Sequence, residues 1–590
     1  MHGTRTGPAR ALPSLMSHLA ALRASLERER EATMAEHARM RLLPMAERVA
    51  AGFSLSPLDL VQTEFRSRFR VNVLLRGQAL GDAFSPGDPV VLGPVGRPDA
   101  GWSGRVDGVD AGTIELRVDD VPEGKGPWAV SRRLDFHILD LQSAALLRAE
   151  RLSSPIVNLL AGYERPYRAD PWEHPAFATL NASQRQAAEL VLGSTEIGLL
   201  HGPPGTGKTE TLVAVLVALR ELGEKPWALA DSNAAVDHLA LRASAAGLDV
   251  VRVGVSARIA SAVQPLTLEH RILSGARAEV IKGLMRQASR TTGPGGVELR
   301  DAIRDEWAAA KREILESADV LAMTLGTLHT RATKFPPPKT AVVDEASQIA
   351  EPALWLLASM VKRLFLAGDP QQLGPVVKSR DPMLERSLLA RLVDAGFVFP
   401  MLTEQYRMND ELLALSSPTY GGRIRSAPGV AVASHSPAAR WIDTAGMGHD
   451  EERDSLGSMY NLGELALTRR IWGELREAGI RPDQVGVITP YNAQLSRIRA
   501  TMPEVESGTV NAFQGREKDV ILASFVRSNP EQELGFVADP RRLNVAVSRA
   551  RHRFIGIGDT ATLGASQHFQ RVIEAIHVGG GYASGWEYAE

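Results

Sequence analysis

The segment His201-Gly-Pro-Pro-Gly-Thr-Gly-Lys-Thr209 leaves this chain few folds to choose from. It follows an apolar run at 197–200 and precedes 210–220, whose apolar spacing predicts a helix ending near Gly223. Strand, glycine-rich loop and helix in that order read as a phosphate-binding loop. Gly202, Gly205 and Gly207 let backbone N–H groups approach phosphates, with Pro203, Pro204 and Thr206 completing the turn. Lys208 then reaches the β/γ-phosphates and Thr209 offers its hydroxyl to Mg²⁺. The N-terminus of the following helix adds its own attraction for anions. An α/β nucleotide-binding protein is expected.

What surrounds the loop bounds its partners. The chain has 590 residues, a length prior of about four domains. Its formal charge of −2 gives no global pull toward nucleic acid, so any such binding must use a local groove. The absence of cysteine excludes disulfides, Fe–S clusters and thiolate zinc sites, and fits a reducing cytoplasm. No signal peptide or membrane-spanning stretch is read, so no membrane partner is expected.

Along the chain the character changes several times. Residues 14–52 read as a charged helix with a break at Pro44, and 53–141 as a small β-barrel with strands at 71–75, 89–92 and 113–118. Residues 142–170 return to helix, broken at Pro155 near its end. From 171 to 380, strands at 198–200, 227–230, 250–253, 341–343 and 364–367 alternate with helices, which implies a parallel sheet covered on both faces. A polar helical insertion at 257–317, with a glycine-rich turn at 291–296, interrupts that unit. Residues 381–590 give a second α/β unit with strands at 485–488, 520–525 and 554–557 and no phosphate loop of its own. One loop and two such units imply a site in the cleft between them.

The second half of that site is a buried strand ending in Val342-Val-Asp-Glu-Ala-Ser-Gln348. An acid pair at a strand end beside a phosphate loop reads as a Mg²⁺ ligand, Asp344, followed by a base for the attacking water, Glu345. The next strand ends in Gly368-Asp-Pro-Gln-Gln-Leu-Gly-Pro375, where Gln372 is placed to sense a γ-phosphate and Asp369 to support Mg²⁺ or the local structure.

Together these segments resemble superfamily 1 helicases, and within them the Upf-like group of superfamily 1B. Leu180-Asn-Ala-Ser-Gln184 resembles the adenine-reading Q motif, and Ala230-Asp-Ser-Asn-Ala-Ala-Val-Asp237 the strand-binding motif Ia. Leu402-Thr-Glu-Gln-Tyr-Arg-Met408 resembles motif IV, and 486–494 the loop that grips nucleic acid. Phe513-Gln-Gly-Arg-Glu-Lys-Asp519 resembles motif V, and Arg542-Leu-Asn-Val-Ala-Val-Ser-Arg549 motif VI. The resemblance implies two tandem RecA-like parallel-sheet domains, a barrel carried on a two-segment helical stalk, ATP with Mg²⁺, a single strand of DNA or RNA as partner, and 5′→3′ travel. It also implies roles: Gln184 on the base, Tyr406 stacked on adenine, Gly515 and Glu517 at the nucleotide with Glu517 accepting from the ribose, and Arg407 and Arg549 as arginine fingers. Asp231, where the family usually has Pro, and Asn511, where Asp is usual, are departures.

Strand contacts are expected from Ser232, Asn233, Thr489 and Tyr491, held to sugar and phosphate with little sequence preference. In an extended chain, Arg66, Arg68 and Arg70 share one face and, with Arg132 and Arg133, are candidates for phosphate contact. A monomer is expected. Two readings stay open beside a helicase: an AAA+ remodelling ATPase, in which the same loop is at home, and an ATP-gated clamp with little unwinding.

Overall fold

The computed structural model describes residues 15–67, 70–77, 83–110, 112–124, 126–152, 154–161, 170–255, 258–288, 291, 294–331, 334–430, 432 and 437–588. The side chains of Arg66, Arg68 and Arg70 lie outside the described set.

The N-terminal helix Leu15–Leu42 buries Leu19, Leu22 and Leu26 along one stripe against helix His137–Ala149, where Ala145 and Ala149 are small enough for close approach and Leu146 adds to the core. Pro44 breaks it, and a short helix Met45–Ala50 leads into the barrel. Pro155 does not break the returning helix near its end. That helix has already stopped at Ala149, and Pro155 opens a separate one, Pro155–Ala161, where its missing N–H costs nothing.

The barrel closes antiparallel in the order Ser54–Ser67, Arg70–Arg76, Thr113–Val118, Trp102–Asp110, Pro89–Pro94, Trp128–Arg132, the last pairing back to the first. Alternation drives it: Ile114, Leu116 and Val118 point inward while Thr113, Glu115 and Arg117 face out. Closure leaves no edge strand unpaired.

The first α/β unit is a parallel six-stranded sheet in the order Ile197–His201, Arg363–Gly368, Thr340–Val343, Trp227–Ala230, Val320–Thr324, Val250–Val253. These strands are buried throughout, as sheets covered on both faces require. The insertion folds as helices Leu268–Ser274, Ala278–Ala288 and Pro294–Ser317 around Ile272, Ile281 and Ala310.

The second unit repeats the plan in the order Glu506–Thr509, Val485–Thr489, Lys518–Ser524, Ala550–Gly558, Ala439–Asp443, Tyr582–Ser584, again parallel. The chain passes between units through 397–402. There His201 N–H donates to the Pro400 carbonyl at 2.9 Å, Leu402 N–H donates to the His201 carbonyl at 2.9 Å, and the His201 and Phe399 rings stack at 4.7 Å. Among the described residues no helix is long and apolar enough to cross a membrane.

Candidate nucleotide site in the interdomain cleft

The phosphate loop sits where strand Ile197–His201 hands over to helix Lys208–Glu221. Gly205 (φ +70°) and Gly207 (φ +77°) take left-handed backbone that L-residues with side chains rarely adopt. Gly202 is needed for space: a Cβ there would stand 2.6 Å from the Lys208 Cβ, so only glycine lets the lysine stem lie over the loop. Thr206 Oγ1 donates to the Pro203 carbonyl at 2.7 Å and pins the turn.

The acid pair faces the loop. Asp344 N–H continues the sheet by donating to the Leu229 carbonyl at 2.8 Å, and Glu345 then turns through a left-handed backbone (φ +53°). A non-glycine residue held there stores strain of about 1–3 kcal/mol, which the surrounding contacts must overcome. The turn aims its carboxylate back: Lys208 Nζ lies 2.5 Å from Glu345 Oε1 and 3.1 Å from Asp344 Oδ1. Gln348 Nε2 donates to the other Glu345 oxygen at 2.8 Å. Burial disfavours the Lys208 charge, yet Asp344 and Glu345 hold its pKa above the ordinary lysine value. Burial likewise opposes ionised Glu345, and the Lys208 ammonium outweighs it and holds that carboxyl below its usual range. Thr209 Oγ1 stands 3.4 Å from Asp344 Oδ2, a hydroxyl and a carboxylate side by side as a shared hard cation requires.

Two arginines close the opposite wall. Arg549 follows helix Pro540–Ser548, is 2% exposed, and donates from Nη2 to Gln372 Oε1 at 3.2 Å and from Nη1 to the Arg516 carbonyl at 3.3 Å. Burial, together with repulsion from Arg407, pulls its pKa down to about 9. Arg407 pairs through Nε with Glu517 and donates from Nη1 to the Ser548 carbonyl at 3.0 Å. Loop, acid pair, Gln372, Arg407, Gly515 and Arg549 thus line one cavity of about 350 Å³, within the range of small-molecule sites.

Other predicted residues are placed differently. Glu517 is no free acceptor here, because Arg407 and Arg551 both hold it. Gln184 is buried with its amide committed: Nε2 donates to the Thr206 carbonyl at 3.0 Å and Oε1 accepts from Asn181 N–H at 3.1 Å. It braces the loop from behind, since a Cβ on Gly207 would meet its Nε2 at 2.4 Å. Tyr406 is half exposed at the rim, its hydroxyl 2.9 Å from Asn181 Nδ2.

The expected strand contacts are not brought together as a surface. Ser232 caps helix Asn233–Ala245, and Asn233 Oδ1 accepts from Arg252 at 2.8 Å. Thr489 is fully buried with a hydroxyl that has no partner among the described residues, and Tyr491 is buried against Phe536. Thr489 ends strand Val485–Thr489 and Tyr491 lies two residues beyond it, and packing rather than solvent surrounds them. In this arrangement neither offers a face to a strand. Arg132 is also occupied, donating to the Gly52 carbonyl at 3.2 Å and stacking on Phe84, whereas Arg133 is exposed.

Sequence reasoning missed His238, Arg242, Gln514 and Arg516, which line the same cavity. The first two carried a readable signal: a spacing of four places them on one helix face, directly after the Ser232 cap.

Comparison with known proteins agrees with this layout. A family described as an AAA domain matches residues 179–294 and 285–380, and a second family of the same description matches 384–561. The DNA-binding protein SMUBP-2 of Mus musculus is 32% identical over 484 residues, 74% of this chain and 48% of that protein. The ATP-dependent helicase NAM7 of Saccharomyces cerevisiae is 36% identical over 425 residues, 66% of this chain and 42% of its own length. The DNA polymerase alpha-associated DNA helicase A of Schizosaccharomyces pombe is 32% identical over 439 residues, 67% and 66% respectively. The chain spans about half the length of SMUBP-2 that it matches.

Proposed function

The chain belongs to the Upf1-like superfamily 1B helicases, and on that premise we propose that it is an ATP-driven translocase of single-stranded DNA or RNA, moving 5′→3′ and parting duplexes from a single-stranded tail. The observation that carries this reading is the division of charge across the cleft. The anion cradle and both acids come from the first α/β unit, and two buried arginines come from the second. Neither wall suffices for phosphoryl transfer, so hydrolysis depends on how the units meet, and a strand lying across both can set that.

In this reading the loop amides and Lys208 bind the β- and γ-phosphates, for which Lys208 exchanges its present carboxylate partners. Thr209 and Asp344 fit a Mg²⁺, which when bound offsets phosphate charge. Glu345, released by Lys208, orients the attacking water and takes its proton. Gln372 reports the γ-phosphate to Arg549, and Arg407 and Arg549 spread positive charge over the transition state. Tyr406 at the rim stacks on the base. Glu517, once Arg407 turns toward phosphate, is available to the ribose. Gln184 then acts by bracing the loop.

A second reading, an ATP-gated clamp with little unwinding, draws on the burial of Thr489 and Tyr491, which leaves the second unit with fewer of the expected strand contacts. One set of measurements separates the two. ATP turnover is compared with and without matched single-stranded DNA and RNA, and strand separation is then followed on 5′-tailed and 3′-tailed duplexes. A translocase shows stimulated turnover and separates the 5′-tailed duplex. A clamp shows stimulated turnover alone. Turnover indifferent to every strand ends both readings. Within this assay Lys208→Ala loses nucleotide affinity, whereas Glu345→Gln binds ATP and does not hydrolyse it.

A further inference from the structure

Beneath the arginine wall lies a buried polar group that the proposed chemistry does not use. Asp369, fully buried, is its hub. Its N–H donates to Ser347 Oγ at 3.2 Å, which ties it to the loop of the acid pair. One carboxylate oxygen lies 3.0 Å from His201 Nε2, at the root of the phosphate loop, and accepts from Gln371 N–H at 3.0 Å. The other accepts from Gln372 Nε2 at 2.8 Å and from the Tyr420 hydroxyl at 2.6 Å. Tyr420 is 3% exposed and packs in the core of the second unit. Its hydroxyl accepts from Asn544 Nδ2 at 3.0 Å, on the helix that ends at Arg549, and the same Asn544 amide donates to the Gln371 carbonyl at 3.0 Å.

We propose that Tyr420 is a positioning residue for hydrolysis: its hydroxyl, bonded across the domain boundary to Asp369, fixes the Gln372 amide so that its oxygen holds the Arg549 guanidinium at the cleft. This rests on the proposed ATPase activity. The chemistry of the amide makes the case. Gln372 has one donor end and one acceptor end, and Asp369 takes the donor end, so the oxygen is left to face Arg549. An acceptor-only carboxylate enforces that orientation. A buried phenol hydroxyl donating to the same carboxylate oxygen fixes where the carboxylate stands relative to the second unit. His201 and Tyr420 keep Asp369 ionised against its burial, and burial together with Asp369 keeps the phenol protonated and therefore a donor. Buried polar networks specify one geometry where their members are satisfied; here both Asp369 oxygens, both ends of the Gln372 amide and the Tyr420 hydroxyl are bonded, and the Asn544 Oδ1 lacks a partner among the described residues. A domain movement that parts Tyr420 from Asp369 frees the carboxylate, the glutamine and the arginine in turn.

The test is Tyr420→Phe, which keeps the ring in the core and removes only the hydroxyl, measured beside Arg549→Ala and the double variant at saturating single strand. Tyr420→Phe is expected to lower kcat on the order of tenfold, the worth of one hydrogen bond to a charged group, with KM for ATP within about twofold. In the Arg549→Ala background the same change is expected to have no further effect on kcat, because the residue it positions is gone. A purely structural tyrosine predicts equal fractional losses in both backgrounds, and that result overturns the proposal, as does a wild-type kcat in Tyr420→Phe. Asn544→Ala, which removes the neighbouring bond from outside the tyrosine core, is expected to follow the same non-additive pattern; additive loss counts against the relay. Failure of the parent reading is separable: there the wild-type chain itself does not hydrolyse ATP, and both ideas fall together.

Discussion

The two six-stranded units follow one plan, all strands parallel, yet the C-terminal ends of their strands are used in opposite ways. In the first unit those ends carry the phosphate loop and Asp344-Glu345, which line the cleft. In the second they are plugged. Asp443 accepts from Thr560 N–H and Oγ1 at 2.9 and 2.7 Å. Glu464, fully buried, accepts from Ser524 Oγ at 2.6 Å and Val526 N–H at 2.8 Å, and its other oxygen has no partner among the described residues. Burial pushes the Glu464 carboxyl up to about 8, against those two donors and with the help of nearby Asp559. Strand ends closed by Asp443 and by Glu464 from the neighbouring helix have no room for phosphate. The second unit therefore contributes cations from a helix end and a loop. The difference teaches that a repeated fold supplies one site and one counter-wall, and it argues against an AAA+ arrangement, in which a small helical lid takes the place of the second sheet.

The hardest blow to that comparison comes from Arg549→Ala. If the second unit acts only through its cations, kcat falls roughly 10³-fold or more while ATP affinity without nucleic acid changes little. A normal kcat in this variant would return the second unit to a bystander. A smaller effect tests the plugged strand ends. The Glu464 carboxyl is raised in the folded chain, so the folded state holds a proton that the unfolded chain has lost. Its stabilisation is full below about pH 4.5 and declines as pH rises toward about 8, by a few kcal/mol across the window. Glu464→Gln, neutral at every pH, is expected to flatten that decline in a series of thermal melts and to leave ATP turnover unchanged. Altered turnover would show that the second unit's strand ends take part after all. The smallest effect is expected from Thr489→Val. Replacing a buried hydroxyl that has no partner among the described residues by a methyl is neutral or slightly stabilising, within about 1 kcal/mol, and single-strand affinity is expected to stay within twofold. A clear loss of affinity would place Thr489 back on the strand.

The nucleotide half was legible because its chemistry is local. Gly202, Gly205, Gly207, Lys208 and Thr209 lie within one short segment, and the acid pair ends an apolar run beside a phosphate loop, where a strand is expected. Of the strands missed, Val320–Thr324 is a short apolar run that suits helix equally well, and Ala439–Asp443 is a short run interrupted by Arg440 and Asp443. In the barrel, Ser54–Ser67 and Trp102–Asp110 pair through register shifts that blur the alternation a strand is read from. The burial of Thr489 and Tyr491 was not legible for a different reason. Resemblance of 486–494 to a gripping loop identifies a segment, and only packing decides which of its side chains face outward. Tyr420 and Asn544 were invisible since their meaning lies in one carboxylate that belongs to the other unit.

The crossing of the backbone at 397–402 has a mechanical consequence. Hydrogen bonds in both directions and the stacked Phe399 fasten that segment to His201, the last residue before the phosphate loop. The covalent link between the two units is thus anchored at the root of the phosphate loop. On the proposed function, a movement of one unit against the other reaches His201 and the phosphate loop through this connection, so a load opposing travel is expected to slow ATP turnover itself.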